Sequence, residues 1–174
     1  DPAAYVGHLL GVLEGRDLRG LRVVIDAANG AASHVVAEVF ERTGAGVVVI
    51  NAAPDGRNIN AECGATHPFG LQSVVVAERA HVGVALDGDA DRLIAVDERG
   101  DVVDGDHIIA ICAADLRERG RLHDDTVVVT VMTNLGFRIA MREAGVEVVE
   151  TPVGDRYVLE ALAAGGYSLG GEQS

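Results

Sequence analysis

The sequence predicts an α/β fold with two tandem α/β domains, in which mainly parallel sheets are flanked by helices and the second domain is incomplete. Three observations predict this fold. Short β-branched runs alternate with segments of helical periodicity along all 174 residues. The alternation restarts after a short, charged stretch at residues 120–125. Hydrophobic residues make up 48% of the chain, which is enough to build cores and excludes disorder as its main state.

The first predicted domain spans residues 1–119 and begins with an amphipathic entry helix at residues 1–15. Asp1 is the expected N-cap of this helix, and Pro2 occupies its first helical position. A β-α-β unit follows, and Ser33 is the expected N-cap of its helix. In chain order, the predicted elements after the entry helix are a strand at 21–25, a helix at 33–42, a strand at 47–50, a helix at 70–79, strands at 82–86 and 93–96, a hairpin tip at 100–101, and a helix from 105 that ends at 120.

The second predicted domain spans residues 120–174. Its pattern predicts a strand at 127–131, a helix at 136–144, a strand at 146–149, a helix at 156–164 and the start of a strand at Tyr167. The chain then stops in the middle of an element. We therefore expect it to be a fragment of a longer protein.

The charge balance limits the classes of partner. The chain has 27 acidic and 14 basic residues, a formal net charge of -13, which repels phosphate backbones and anionic lipid surfaces. We therefore expect no nucleic-acid partner and no membrane partner. No stretch approaches the roughly 20 apolar residues that cross a bilayer, and the first residues lack a basic leader, so the expected location is the cytoplasm. Cys63 and Cys112 have no metal-binding or redox spacing and are expected to be reduced thiols.

The strongest chemical signal is an aspartate-rich loop, Asp-Gly-Asp-Ala-Asp-Arg at residues 87–92, directly after the predicted strand at 82–86. Three carboxylates at alternate positions can turn toward one point, at the end of a strand where open α/β sheets bind ligands. Their mutual repulsion favours a cation, and an all-oxygen set suits Mg²⁺. A solvated turn is the alternative. An EF-hand is excluded because Arg92 stands where that loop needs glycine.

Three further segments accompany this loop. They are Pro-Asp-Gly-Arg-Asn-Ile-Asn at 54–60 with Cys-Gly-Ala-Thr-His at 63–67, Thr-Pro-Val-Gly-Asp-Arg-Tyr-Val at 151–158, and the terminal Gly-Glu-Gln-Ser at 171–174. Together with the aspartate-rich loop they resemble the α-D-phosphohexomutase family. The terminal segment and the Asn-Ile-Asn sequence resemble the branch of the family that acts on glucosamine phosphates. The resemblance covers the second domain and the front of the third domain of a four-domain architecture.

The resemblance implies roles for the residues of the aspartate-rich loop. Asp87, Asp89 and Asp91 match the family's ligands for Mg²⁺. Arg92 matches a catalytic cation beside the phosphoryl group.

It also implies a substrate site in the second predicted domain. Glu172 and Ser174 match the loop that holds two sugar hydroxyls, and Gly154 and Asp155 match a second substrate-contact loop.

The family's reaction implies several partners for this chain. A phosphoserine enzyme interconverts hexosamine 6-phosphate and 1-phosphate through a bisphosphate intermediate, on the route to UDP-N-acetylglucosamine and the bacterial cell wall. In the family, the phosphoserine belongs to the first domain and the site that binds the substrate phosphate belongs to the fourth. Neither is present in this chain. We therefore expect the fragment alone to be inactive, while a homodimer of the parent protein is left open.

Three alternatives remain at the level of sequence. A phosphomannomutase or phosphoglucomutase of the same family would keep the fold and mechanism and change the substrate. A haloacid-dehalogenase-like phosphatase would use Asp87 as its nucleophile, although the lysine usual in that superfamily is absent because the chain contains no lysine. A metal-binding or sugar-phosphate-binding module without catalysis is the third.

Overall fold

The computed structural model describes residues 2–173. The predicted N-cap Asp1 and the predicted substrate residue Ser174 lie outside the described residues. The chain forms two compact α/β units, Asp1–Val103 and Asp104–Ser174. The predicted fold class is confirmed.

The first unit contains three α-helices and five strands among its described residues. They are α1 (Pro2–Gly11), β1 (Arg22–Asp26), α2 (Val36–Arg42), β2 (Gly46–Ile50), α3 (Phe69–Ala77), β3 (Val82–Leu86), β4 (Leu93–Asp97) and β5 (Val102–Val103). The sheet order is β2-β1-β3-β4-β5. Strands β1, β2 and β3 are parallel, and β4 is antiparallel to both β3 and β5, so only β4 runs against the common direction.

Two hydrophobic cores cover the faces of this sheet. Alternate residues of β1 point to opposite faces, as the period of a strand requires. Val24 packs with Leu71 and Val75 of α3. Val23 and Ile25 belong to the other core, which includes Val36 of α2. The helices on both faces bury β1, which lies between β2 and β3 in the sheet.

Helix α1 offers a simple stability test at Gly7. This residue is exposed inside the helix, and a Cβ atom added to it would meet no atom within 4 Å. Glycine in a helix interior costs about 0.5–1 kcal/mol relative to alanine. We expect Gly7→Ala to raise the free energy of unfolding by about this amount, measured by urea denaturation. A lower stability would mean that the helix is not formed as described.

The prediction that Ser33 caps a helix is wrong. Residues Ala31–His34 form a short 3-10 helix, and α2 begins only after Val35, which makes no side-chain capping bond. The Ser33 hydroxyl is buried and has no hydrogen-bond partner in the structure. The local sequence suggests a cap because serine precedes an apolar helical pattern. Ser33 instead lies inside the 3-10 helix that follows β1, before α2 begins.

The second unit contains three α-helices and two strands among its described residues. They are α4 (Gly105–Glu118), β6 (Thr126–Thr130), α5 (Leu135–Glu143), β7 (Glu147–Thr151) and α6 (Asp155–Gly165). Strands β6 and β7 are parallel. One core packs α4 and α5 against β6 through side chains that include Ala113, Phe137 and Val129. Val158 of α6 is buried, and α6 also contacts β6 and β7.

The predicted strand start at Tyr167 is wrong. The chain meets β6 three residues later, through a parallel bridge between Gly170 and Val128. Val128 donates its N–H to the carbonyl of Leu169 and accepts from Gly171 N, each at 3.0 Å. A Cβ on Gly170 would lie 2.9 Å from Val158 and 3.0 Å from the carbonyl oxygen of Val128, so glycine permits this close approach.

The predicted domain boundary between residues 119 and 120 is also wrong. The structure divides the chain between Val103 and Asp104, so α4 belongs to the second unit. The apolar face of α4, including Ile109 and Ala113, packs with side chains that follow it in the chain, such as Met141. The sequence shows a polar stretch after α4, but it does not show whether the residues that pack against the helix precede it or follow it in the chain.

Asp104 caps α4, and its charge makes this cap sensitive to pH. Its Oδ1 accepts from His107 N at 3.0 Å and lies 2.7 Å from His107 Nδ1. Burial acts to raise the pKa of Asp104, but the hydrogen bonds and charge of His107 outweigh it and hold the pKa below its usual value. A lowered pKa in the folded state stabilises the fold above the unfolded-state pKa, and this contribution is lost as pH falls through the folded-state pKa.

We expect Asp104→Ala to lower the free energy of unfolding by about 1 kcal/mol at pH 7. The difference from the wild-type chain should shrink in urea denaturation at about pH 3, below the usual aspartate pKa of about 3.9. Asp104→Asn is the matched control, because an asparagine cap keeps the acceptor and loses the charge. A pH-independent difference for Asp104→Ala would contradict a role for the charge.

Within residues 2–173, no helix has the length and apolar character needed to cross a membrane.

Candidate functional site

The aspartate-rich loop follows β3 directly, as predicted, and its three carboxylates converge. Asp87, Asp89 and Asp91 each offer a carboxylate oxygen, and these atoms lie within 4.8 Å of one another. Asp87 is 3% exposed, whereas Asp89 and Asp91 are exposed. Ala90 adopts a left-handed conformation, with φ of 62°, and donates its N–H to the carbonyl of Asp87 at 3.2 Å. This turn brings alternate side chains to one side, so the donor set fits a hard divalent cation.

Arg92 binds the buried carboxylate of the loop. Its Nε donates to Asp87 Oδ2 at 2.9 Å, and its backbone N–H donates to Asp87 Oδ1 at 3.2 Å. Its Nε is also 3.8 Å from Asp91 Oδ1. Burial acts to raise the pKa of Asp87, but the hydrogen bonds and charge of Arg92 outweigh it, so the pKa lies below the usual value. Asp87 is therefore held in its charged form.

Asp91 shows the opposite shift. Its desolvation, followed by the negative charges of Asp87 and Asp89, raises its pKa above the usual value. Repulsion among the three carboxylates is therefore one cause of the raised pKa, after desolvation. A bound cation would lower this repulsion, and this supports the fit of the loop to a metal ion.

The backbone of the loop packs against two neighbouring segments. Gly88 accepts a hydrogen bond from Ala31 N at 2.8 Å, and Leu86 accepts one from Ala65 N at 2.8 Å. A Cβ on Gly30 would lie 2.3 Å from the carbonyl oxygen of Gly88, and a Cβ on Gly64 would lie 2.5 Å from that of Leu86. The backbone at Leu86 and at Gly88, the residues before and after Asp87, is therefore in close contact with the backbone of neighbouring segments.

In the second unit, the structure connects two of the predicted substrate residues. Glu172 Oε1 accepts a hydrogen bond from Gly154 N at 2.9 Å. Gly154 has φ of 129°, a conformation that favours glycine, and precedes α6. Asp155 is exposed in the first turn of α6, and its Oδ1 accepts from Arg156 N at 2.7 Å. Ser174 lies outside the described residues.

The N-terminus of α4 supports the same region, and sequence reasoning missed it. Gly105 donates its N–H to the carbonyl of Gln173 at 2.9 Å, and a Cβ on Gly105 would lie 2.4 Å from the carbonyl oxygen of Glu172. Asp106 is 1% exposed, and its Oδ2 accepts from both Asn134 N and Asn134 Nδ2, at 2.9 and 2.7 Å. These bonds tie the loop after β6 and the terminal segment to one helix end. An aspartate in the first turn of a helix is common, so the sequence carried no signal for this role.

The aspartate-rich loop and the Gly154–Glu172 pair belong to different units. The model of the phosphoglucomutase/phosphomannomutase alpha/beta/alpha domain II matches residues 3–100, and that of domain III matches residues 104–174. The chain belongs to the phosphoglucomutase/phosphomannomutase family. The two matches meet where the structure divides the chain, which supports the corrected boundary.

Relatives in this family resemble the chain along nearly all of its length. A phosphoglucosamine mutase from Thermoanaerobacter sp. (strain X514) is 55% identical over 170 residues, covering 98% of this chain and 38% of the relative. One from Frankia casuarinae is 61% identical over 170 residues, covering 98% of this chain and 37% of the relative. The chain therefore spans a little over a third of the length of these relatives.

Solved structures of the phosphoglucomutase/phosphomannomutase family share the fold. A family protein from Burkholderia thailandensis has a TM-score of 0.86 at 27% identity, covering 99% of this chain and 37% of its own. The N-acetylphosphoglucosamine mutase of Aspergillus fumigatus, in complex with GlcNAc-6P and magnesium, has a TM-score of 0.69 at 22% identity. It covers 98% of this chain and 37% of its own, and it supports the fold alone. The family assignment favours a phosphohexomutase over the haloacid-dehalogenase-like alternative.

Proposed function

We propose that the chain is part of a Mg²⁺-dependent phosphoglucosamine mutase, which interconverts glucosamine 6-phosphate and glucosamine 1-phosphate. The observation that carries the proposal is the 55–61% identity to relatives of that name, along 98% of this chain. The proposal includes a phosphoserine and a phosphate-binding site in other domains of a longer parent protein, which would act in the cytoplasm. The product would serve UDP-N-acetylglucosamine and peptidoglycan precursor synthesis.

The residues of the aspartate-rich loop would hold the metal and the transferring group. Asp87, Asp89 and Asp91 supply three oxygen ligands, and Arg92 keeps Asp87 charged and oriented. When bound, Mg²⁺ neutralises negative charge on the phosphoryl group during transfer. The atom of Arg92 that bonds to Asp87 is Nε, so its terminal nitrogens can donate to phosphoryl oxygens. This role would make Arg92 a catalytic residue.

The second unit would orient the sugar. Glu172 Oε1 accepts from Gly154 N, and this leaves Oε2 to accept a sugar hydroxyl. Ser174 would hold the neighbouring hydroxyl, and Asp155, exposed at the start of α6, would contact the substrate from the other loop. A carboxylate fixed by a backbone N–H keeps one geometry while the bisphosphate intermediate turns between its two orientations.

The test compares substrates in the full-length protein that contains this chain. Glucosamine, glucose and mannose 6-phosphates are assayed with Mg²⁺ and a trace of the matching bisphosphate. We expect the highest kcat/KM for glucosamine 6-phosphate. A preference for mannose or glucose 6-phosphate would keep the fold and mechanism and identify a phosphomannomutase or phosphoglucomutase instead.

The chain alone provides a second test. Because the proposal places the phosphoserine in another domain, the isolated chain should isomerise none of these sugars and should release no phosphate from an aryl phosphate. Phosphate release that Asp87→Asn abolishes would support a phosphatase. A full-length protein that binds Mg²⁺ and sugar phosphate without isomerising any of the three sugars would be a binding module.

A further inference from the structure

Asp26 is a buried carboxylate that the proposed mechanism does not use. It is the last residue of β1 and is 0% exposed. Its two oxygens accept hydrogen bonds from two different backbone segments. Oδ1 accepts from Ala28 N and Oδ2 from Gly64 N, both at 2.9 Å. A buried carboxyl group is costly unless its oxygens are hydrogen-bonded, so these two bonds tie both segments to Asp26.

Each of these segments in turn holds the aspartate-rich loop. The segment that begins at Ala28 continues to Ala31, whose N–H donates to the carbonyl of Gly88 at 2.8 Å. The residue after Gly64 is Ala65, whose N–H donates to the carbonyl of Leu86 at 2.8 Å. Leu86 and Gly88 are the two neighbours of Asp87 in the chain. The peptide group that joins Leu86 to Asp87 and the one that joins Gly88 to Asp89 are therefore held by segments that bond to Asp26.

The turn next to Asp26 is a strained one. Ala28 and Asn29 have φ of 52° and 49°, and Gly30 donates its N–H to the carbonyl of Ala27 at 2.9 Å. A left-handed conformation is unfavourable for alanine, and it persists there only where surrounding contacts impose it. The bond from Ala28 N to Asp26 Oδ1 is one such contact.

We propose that Asp26 is a positioning residue that sets the place of Asp87 for metal binding. The inference rests on the proposed function, because it assumes that the aspartate-rich loop binds a divalent cation. Asp26 acts through Ala28 and Gly64 and does not itself ligate the metal.

The test measures metal binding directly in the chain. Mn²⁺ serves as the probe, followed by electron paramagnetic resonance, with Mg²⁺ as the competitor. In Asp26→Asn, one acceptor oxygen becomes an amide donor that faces a backbone N–H. We expect about tenfold weaker Mn²⁺ binding, at a temperature where the variant is folded, as is usual when support behind a metal ligand is lost. Unchanged Mn²⁺ affinity in Asp26→Asn would overturn the inference.

Two control variants separate positioning from other causes. Asp26→Glu keeps the carboxyl group and displaces it by one methylene. Weaker Mn²⁺ binding in this variant as well supports positioning, whereas wild-type affinity would overturn it. Val24→Ala removes buried volume from the same strand. It should lose stability and keep its Mn²⁺ affinity, and an equal loss of affinity here would overturn a specific role for Asp26.

A measurement on the wild-type chain covers the case in which the Asp26 variants do not fold. Coupling between two sites is reciprocal, so metal binding to the loop must stabilise the bonds at Asp26. We expect Mg²⁺ to slow hydrogen exchange of the Ala28 and Gly64 amides. Unchanged exchange in the presence of bound metal would overturn the inference. Absence of metal binding to the wild-type chain, or binding that Asp89→Ala leaves intact, would instead overturn the proposed metal site.

Discussion

Replacing Asp89 with alanine in the full-length protein should lower kcat/KM about a thousandfold and leave the fold intact. A metal ion contributes several kcal/mol to stabilising charge in a transition state, and about 4 kcal/mol corresponds to this factor. Asp89 is the best of the three aspartates to change, because it is exposed, whereas Arg92 Nε lies 2.9 Å from Asp87 and 3.8 Å from Asp91. Its removal also relieves repulsion within the loop, so the free energy of unfolding should not fall.

The measurement is mutase activity over a range of Mg²⁺ concentrations, with unfolding followed in parallel. Asp101→Ala is the matched control, because Asp101 is an exposed acid near β5 and lies outside the cluster. It removes the same charge and should keep activity within about twofold of wild type, since exposed ion pairs contribute little. Near-normal activity of Asp89→Ala would contradict the proposed metal site.

Replacing Gly30 with alanine should destabilise the first unit by about 3 kcal/mol and weaken metal binding. The backbone angles of Gly30, φ of -104° and ψ of -162°, are open to any residue, so the cause is space alone. A Cβ there would lie 2.3 Å from the carbonyl oxygen of Gly88 and 2.8 Å from its carbonyl carbon. Inserting a methyl group into a well-packed site costs about 1–3 kcal/mol. We expect a cost at the upper end of this range, because the methyl group would meet backbone atoms of Gly88, which move less easily than a side chain.

Urea denaturation of the chain and Mn²⁺ binding measure the two effects. Gly7→Ala makes the same chemical change where nothing lies within 4 Å, and it is expected to stabilise the chain. Opposite signs for the two glycines would show that the contact with Gly88 decides the outcome. A Gly30→Ala chain as stable as wild type would mean that the loop can move away from the turn without cost.

The features that the sequence predicted well depend on residues close together in the chain. The convergence of Asp87, Asp89 and Asp91 needs only a strand followed by a tight turn, and both can be read from a dozen residues. The strand after the loop and the hairpin tip near Gly100 are local in the same way, and the structure has them as β4 and β5.

The features that the sequence did not predict depend on distant partners. The predicted domain boundary is misplaced because α4 packs with side chains that follow it in the chain, among them Phe137 and Leu169. Asp26 is a single polar residue at the end of an apolar strand, and only the fold shows that Gly64, 38 residues away, donates to it. The hydrogen bond between Glu172 and Gly154 likewise joins two loops, and the hydrophobic pattern of the sequence does not show that these loops are close in space.

The close packing of Gly30 and Gly64 has a consequence for how substitutions are tolerated. Neither residue has a side chain that could take part in chemistry, yet a Cβ on either of them would lie within 3 Å of a backbone carbonyl oxygen. In a saturation-mutagenesis screen for growth, these positions should therefore be depleted as severely as the metal-binding aspartates. Purified variants would distinguish the two groups: the aspartate variants would be folded and inactive, whereas the glycine variants would be poorly folded. Intolerance to substitution around this loop would thus have two causes: a lack of room for a side chain at the glycines and the loss of metal ligands at the aspartates.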